Sequence, residues 1–302
     1  MPRSPNRKRA GKFIAVANMK GGVGKTTTVV SLAEALAADD LEAAVLVVDL
    51  DPQASASVCI AGDTLLAELI DGERTVEAFL DARLLRQESA ELQPLIRSNI
   101  STVTHRGQQL NLSLLPCGPH LRIVERELLY ELTNRNMSMS AIDGKIWRIF
   151  SGDFDALRDA YDYIIFDCAP GISPVTEAAV RIADLVIVPT IPDYLSVYGL
   201  NAFHGAVWAH KSATLPKPKS APFILISRLQ PTRQHRAVRE ILIEGANKGG
   251  TFYRMIETCI PQFAGLPDAL MRPGYLSFTQ KYTSAFIAET MQPLVTEIKG
   301  LL

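Results

Sequence analysis

Residues 17–28 read Ala17–Asn18–Met19–Lys20–Gly21–Gly22–Val23–Gly24–Lys25–Thr26–Thr27–Thr28. An apolar run at 13–16 precedes this stretch and a helix-like run at 29–38 follows it. A strand, a glycine-rich loop and a helix in that order can hold an anion. The loop's N–H groups converge on it and the helix presents its positive end. Gly21, Gly22 and Gly24 let the backbone curl, and Gly24–Lys25–Thr26 matches the end of the phosphate-loop pattern. In that reading Lys25 reaches the β- and γ-phosphates of a nucleotide and the Thr26 hydroxyl ligates Mg²⁺. Two departures stand out. Met19 occupies the usual first glycine, and a second lysine, Lys20, sits just before the glycines. Two acidic positions accompany the loop. Asp49 and Asp51 close the apolar run at 44–48 in the string Asp49–Leu50–Asp51–Pro52–Gln53. Asp167 closes 163–166 and begins Asp167–Cys168–Ala169–Pro170–Gly171. A hydrophobic strand ending in aspartate is the Walker B arrangement, which holds Mg²⁺ through a water.

The octamer Lys20–Gly21–Gly22–Val23–Gly24–Lys25–Thr26–Thr27 resembles the deviant Walker A motif of the ParA/MinD ATPases. The resemblance implies ATP and Mg²⁺, with Lys20 through Thr27 as the nucleotide-binding set. It implies that Lys20 reaches across a dimer interface to the partner's nucleotide, a catalytic cation supplied in trans. Asp51 resembles the later aspartate of the family's second motif, which positions the attacking water and helps hold the Mg²⁺ shell. A carboxylate at a strand end beside a phosphate loop suits that role. Asp49 reads as support for that shell or its loop. Asp167 with Pro170 matches the family's D-x-x-P segment, so Thr26, Asp51 and Asp167 form the implied metal set. Pro189–Thr190–Ile191–Pro192–Asp193–Tyr194, followed by Gly199, loosely resembles a segment near the nucleotide and the dimer interface.

The likeness runs from residue 13 to about 260. Ser227–Arg228 stands where adenine readers carry Asn, so no base-reading group is named. Beyond Pro261 the chain has Gln262–Phe263–Ala264 and Arg272–Pro273–Gly274–Tyr275 in place of the family's segments there. The stretch 62–130 is longer than in compact members. The implied function is a ParA-type ATPase that forms an ATP-dependent sandwich homodimer, binds non-specific DNA and positions a cargo. A ParB-like or cargo-adaptor protein stimulates hydrolysis. The alternative is a MinD-like membrane-associated ATPase, which would use the amphipathic stretch 284–298. Only Lys299 stands near its end as a base, and membrane-surface helices carry more.

The chain's 302 residues suffice for a large core, and 47% hydrophobic with 21% charged content describes an ordinary globular protein. No apolar run nears the ~20 residues that span a bilayer, and no secretion signal precedes residue 13. The expected location is cytoplasmic and nucleoid-associated. Cys59, Cys117, Cys168 and Cys259 are widely spaced and read as small buried hydrophobes. The net charge of −1 conceals a basic tract. Between Phe203 and Thr283 lie 11 lysines and arginines against four acids, a footprint for a polyanion.

The organisation expected is a disordered basic tail at 1–11 and one P-loop ATPase domain at 12–302. Its fold class is α/β, a mostly parallel twisted sheet with helices on both faces. Strands are expected at 13–16, 44–48, 112–115, 163–167, 185–189, 223–226 and 255–260. Helices are expected at 29–38, 64–70, 75–85, 121–133, 142–157, 174–182, 195–209, 236–244 and 284–298. Residues 98–109 read as a loop or ragged hairpin.

Overall fold

The computed structural model describes residues 10–210, 212, 214–248, 251–262, 265–271 and 276–302. Residues 1–9 of the expected tail, Lys211, Phe263–Ala264 and Arg272–Tyr275 lie outside the described residues. Gly11 already belongs to the fold, its N–H donating to the Arg158 carbonyl at 3.0 Å.

Seven strands form one sheet: β1 (Lys12–Val16), β2 (Val45–Leu50), β5 (Leu112–Leu115), β6 (Tyr163–Cys168), β7 (Leu185–Thr190), β8 (Pro222–Ile226) and β9 (Arg254–Met255). Their order is β5-β2-β6-β1-β7-β8-β9, and every pairing is parallel. These strands are apolar along nearly their whole length because helices cover both faces. Alternate residues therefore enter two different cores. Phe13, Ala15, Leu46, Val48, Ile164 and Phe166 face one layer. Ile14, Val16, Val45, Val47, Ile165 and Leu185 face the other.

The first layer contains α3 (Val76–Leu80), α4 (Leu121–Asn134), α5 (Met139–Ile149), α6 (Pro174–Ile182), α7 (Tyr194–Val207) and α8 (Arg233–Asn247). The second contains α1 (Lys25–Asp39), the start of α2 (Ser55–Asp71), and the C-terminal α9 (Gly265–Leu270), α10 (Phe278–Lys281), α11 (Ser284–Phe286) and α12 (Gln292–Leu301). A small sheet joins β3 (Val103–His105) and β4 (Gln108–Gln109) as a hairpin, with β10 (Leu276–Ser277) parallel to β3. The ragged hairpin read at 98–109 is thus present, and its third strand comes from far along the chain.

Three expectations need correction. The strand expected at 255–260 is only Arg254–Met255. Beyond it, Ile256 and Ile260 still donate N–H bonds to β8, but Pro261 and the turns between break the ladder. The helices expected at 75–85, 142–157 and 284–298 each contain a π-helical turn, at 81–86, 150–154 and 287–291. A wide turn keeps apolar side chains on the core when 3.6-residue periodicity would rotate them away. Of the four free cysteines, Cys117 and Cys168 are buried, whereas Cys59 and Cys259 are only half-buried.

The C-terminal amphipathic face is spent inside the protein. Ile287, Met291, Leu294 and Ile298 are 0–9% exposed and pack in the core that contains α1. Nothing of that face remains for a lipid surface, which removes the basis of the membrane alternative. Among the described residues no helix is long and apolar enough to cross a membrane.

One buried ion pair ties this layer to the phosphate-loop helix. Glu34 on α1 accepts from Lys281 Nζ and from the Tyr282 hydroxyl, each at 2.6 Å, with all three residues at most 7% exposed. Lys281 therefore leaves the basic tract counted from composition. Removing one partner strands the other charge in a dry core, which costs about 3–5 kcal/mol. Lys281→Met should lower the stability of the protein by that amount in chemical denaturation. A change below about 1 kcal/mol would show that the pair does not hold this layer together.

Candidate active site

The chemistry-bearing residues follow the carboxyl ends of β1, β2, β6, β7 and β8, where ligands sit in open parallel sheets. Register brings them together: Val16 pairs with Asp167, and Asp49 pairs with Asp167. An open cleft of about 890 Å³ lies above these ends. Its lining includes Gly21, Gly22, Gly24, Lys25, Thr26, Asp51, Gln53, Pro170 and Arg228.

The loop after β1 enters α1 through Gly24, whose φ of 85° is left-handed, and Gly22 has φ 72°. Only glycine takes these angles without strain. α1 begins at Lys25 with no side-chain cap, so its first N–H groups remain for a ligand. Val23 is buried beneath the loop, and the Lys25 Nζ donates to the Lys20 carbonyl at 3.3 Å. Burial lowers the Lys25 pKa from its ordinary value, while Asp167 and Asp51 oppose that shift.

Asp167 is fully buried. Its Oδ2 accepts the Thr26 hydroxyl at 2.7 Å, and its Oδ1 is buried without a partner. Burial raises its pKa well above the ordinary value, reinforced by Asp49 and then Asp51, against the Thr26 bond and Lys25. A desolvated carboxylate with an idle oxygen, joined to a threonine hydroxyl, is a setting that a cation would relieve. Among the described residues no cluster of three acidic, histidine or cysteine groups encloses a metal. A hard cation here would need further oxygen ligands from phosphate and water, as Mg²⁺ uses.

Asp49 is spent on the fold. Its Oδ1 accepts from Asp51 N at 3.0 Å, and its Oδ2 accepts from Ser57 N at 2.8 Å and Ser57 Oγ at 2.7 Å. Burial pushes its pKa up to about 6. Asp49 thereby shapes the turn that presents Asp51. Asp51 is 8% exposed, its Oδ1 accepting from Gln53 N at 3.0 Å, and it lines the cleft beside Pro170.

Lys20 stands apart from this cluster. Its Nζ donates to Asp193 Oδ2 at 3.1 Å and Ser196 Oγ at 3.2 Å, and its side chain is 36% exposed. Asp193 also caps α7, accepting from Ser196 N at 2.7 Å. Burial would raise the Asp193 pKa, but the Ser196 N–H and Lys20 together hold it below its usual range. Asn18 completes the support: its Oδ1 accepts from Lys20 N and its Nδ2 donates to the Pro189 carbonyl.

Sequence reasoning set Asp193 in a segment near the nucleotide and the dimer interface but gave it no task, and it named no role for Asn18 or Ser196. Asp193 carried a legible signal, an aspartate opening a helix, but nothing in the string ties it to a lysine 173 positions away. Tyr194, which ends the segment expected near the dimer interface, is 56% exposed beside Leu195 and Tyr198, each 75% exposed. Among the described residues, members of the basic tract have different surroundings. Lys248 pairs with Glu244, Arg254 lies over the Phe223 ring, and Arg228 binds the phosphate loop, while Arg233 and Arg236 are exposed on α8.

Comparison with known proteins adds to this geometry. A family model described as an AAA domain matches residues 11–216. The chromosome partitioning protein ParA of Myxococcus xanthus is 30% identical over 218 residues, 71% of this chain and 64% of that protein. The matched stretch spans about three-fifths of the length of such curated relatives. A putative plasmid partition protein from Borrelia burgdorferi B31 bound to AMPPNP superposes with a TM-score of 0.67 at 21% identity, covering 97% of this chain and 100% of that one. The pNOB8 ParA bound to nonspecific DNA superposes at 0.62 and 19% identity, covering 96% and 99%. At these identities the two structures establish the fold.

Asp193→Ala removes both the α7 cap and the anchor of Lys20. It should cost about 1 kcal/mol of stability and raise the labelling of Lys20 by an amine reagent severalfold. Peptide mass spectrometry showing unchanged labelling would mean that Asp193 does not hold the lysine.

Proposed function

Since this chain belongs to the ParA/MinD-type P-loop ATPases, we propose that it binds ATP with Mg²⁺ and closes into a two-copy sandwich. In that state it binds DNA without sequence preference, and a ParB-like or cargo-adaptor protein stimulates hydrolysis to ADP. The observation that carries the proposal is the Thr26–Asp167 pair with its idle carboxylate oxygen, set beneath a cleft that the phosphate loop and Asp51 also line.

The roles follow from chemistry. Lys25 and the loop N–H groups would bind the β- and γ-phosphates. Thr26, Asp167 and Asp51 would hold Mg²⁺, which when bound neutralises charge on the phosphates. Asp51 would accept a hydrogen bond from the attacking water and orient it in line. Lys20 would leave Asp193 and reach the partner's phosphates, where it stabilises the charge that develops. A half-exposed ion pair such as Lys20–Asp193 is worth roughly 0.2–1 kcal/mol, so releasing it is cheap. The exposed Tyr194, Leu195 and Tyr198 beside it favour a second copy as the surface that covers them. Arg233 and Arg236 supply exposed cations for DNA phosphates. Positioning of a plasmid, a chromosome origin or a protein body is the function this cycle would serve, with the protein on the nucleoid.

Asp51→Ala should bind ATP and dimerise while its hydrolysis falls at least tenfold; undiminished turnover excludes Asp51 from the mechanism. Lys20→Ala should bind nucleotide as a monomer without ATP-dependent dimerisation or hydrolysis, as read by light scattering. A Lys20→Ala protein that dimerises and turns over normally would end the cross-subunit role. Duplex DNA retention should require ATP and fall steeply with salt; equal retention without nucleotide would argue for an unswitched basic surface.

A further inference from the structure

At the carboxyl end of β8, two consecutive side chains take hold of two consecutive carbonyls of the phosphate loop. Arg228 Nη1 donates to the Gly22 carbonyl at 2.8 Å. The Ser227 hydroxyl, 2% exposed, donates to the Val23 carbonyl at 2.7 Å. Arg228 takes a left-handed backbone, φ 52°, which non-glycine residues adopt only at a steric cost. Such strain persists where surrounding structure imposes it, often at ligand clamps.

Peptide geometry gives these contacts a consequence. In a trans peptide the carbonyl of one residue and the N–H of the next point in opposite directions, and the described residues contain no cis bond. Holding the Gly22 carbonyl toward Arg228 therefore turns the Val23 N–H away from it. Holding the Val23 carbonyl toward Ser227 does the same for the Gly24 N–H. Glycine at 24 lets the peptide between Val23 and Gly24 flip at little cost, and glycine at 22 frees one of the two dihedrals that turn the peptide between Gly22 and Val23. A flipped peptide would present a carbonyl, and a carbonyl repels phosphate.

We infer that Ser227 and Arg228 are positioning residues that preset the phosphate loop before nucleotide arrives, by drawing the Gly22 and Val23 carbonyls aside so that the following N–H groups remain free for phosphate. The inference rests on the nucleotide-binding reading above. It assigns to the end of β8 a task on the phosphate side of the cleft. Affinity gained this way comes from lowering the ordering cost of the loop.

The test uses the full chain with ADP·Mg²⁺ as probe, comparing wild type, Arg228→Gly, Arg228→Lys and Ser227→Ala. Arg228→Gly should keep a wild-type melting temperature within about 2 °C, because relief of the left-handed backbone offsets the lost bond and the added chain entropy. Its Kd for ADP should rise about tenfold, and Arg228→Lys should recover part of the loss. In the nucleotide-free protein, hydrogen exchange of the peptide spanning 17–28 should quicken in both Arg228→Gly and Ser227→Ala. A weaker Kd with unchanged exchange would replace the clamp with a direct ligand contact. An unchanged Kd in Arg228→Gly, with wild type binding ADP, would overturn the clamp alone. A wild type that takes up no ADP would overturn the nucleotide reading as well.

Discussion

A fully desolvated aspartate at the centre of the sheet's carboxyl end sets the terms for the rest of the molecule. Asp167 has one oxygen on Thr26 and one on nothing, with Asp49 beside it in register and Asp51 and Lys25 close enough to move its pKa. Burying such a charge unpaired is prohibitive, so the fold must offer either a proton or a cation. Lys25, partly robbed of solvent itself, offsets only part of the negative charge. Each neighbouring loop either adds a donor to this centre or takes one of its acids out of play, as Ser57 does for Asp49.

The surrounding layers hold that centre by fixing the two elements that meet there. α1 is clamped between the sheet and the C-terminal helices, and the Glu34–Lys281–Tyr282 network secures it from behind. β6 is held between β1 and β2 over five or six residue pairs on each side. Rigid placement of helix and strand lets a 2.7 Å contact span residues 141 positions apart. The contacts at the rim are few: Lys20 on Asp193, and Ser227 and Arg228 on the loop carbonyls. Those of Lys20 and Arg228 are partly exposed, whereas the Ser227 hydroxyl is buried.

Much of this was legible in the residue string. The strands β1, β2, β5, β6, β7 and β8 declared themselves as short, unbroken apolar runs, because a strand covered on both faces needs no polar alternation. The phosphate loop was legible because glycine, lysine and threonine have distinct tasks at fixed spacing. Less legible were elements whose form depends on neighbours. The run 255–260 has a strand's apolar ends, yet it follows the sheet's edge mostly as coil, because turns and Pro261 interrupt its ladder with β8. The π-helical turns were hidden because core contact, not periodicity, selects them.

Local chemistry alone marked the glycine–lysine–threonine loop and the strand-end aspartates as candidates for phosphate and metal, and determined that the chain alternates strands with helices. These follow from backbone sterics, side-chain pKa and hydrophobic runs, all of which act over a few residues. Only the tertiary structure decided that Asp49 is a scaffold while Asp51 faces the cleft, although two positions separate them. It alone decided that Lys20 rests on Asp193, that Lys281 is a core cation and that the 287–298 face belongs to the interior. The physical reason is that pairing and burial depend on distances between segments far apart in the chain, and those distances exist only once the layers have packed.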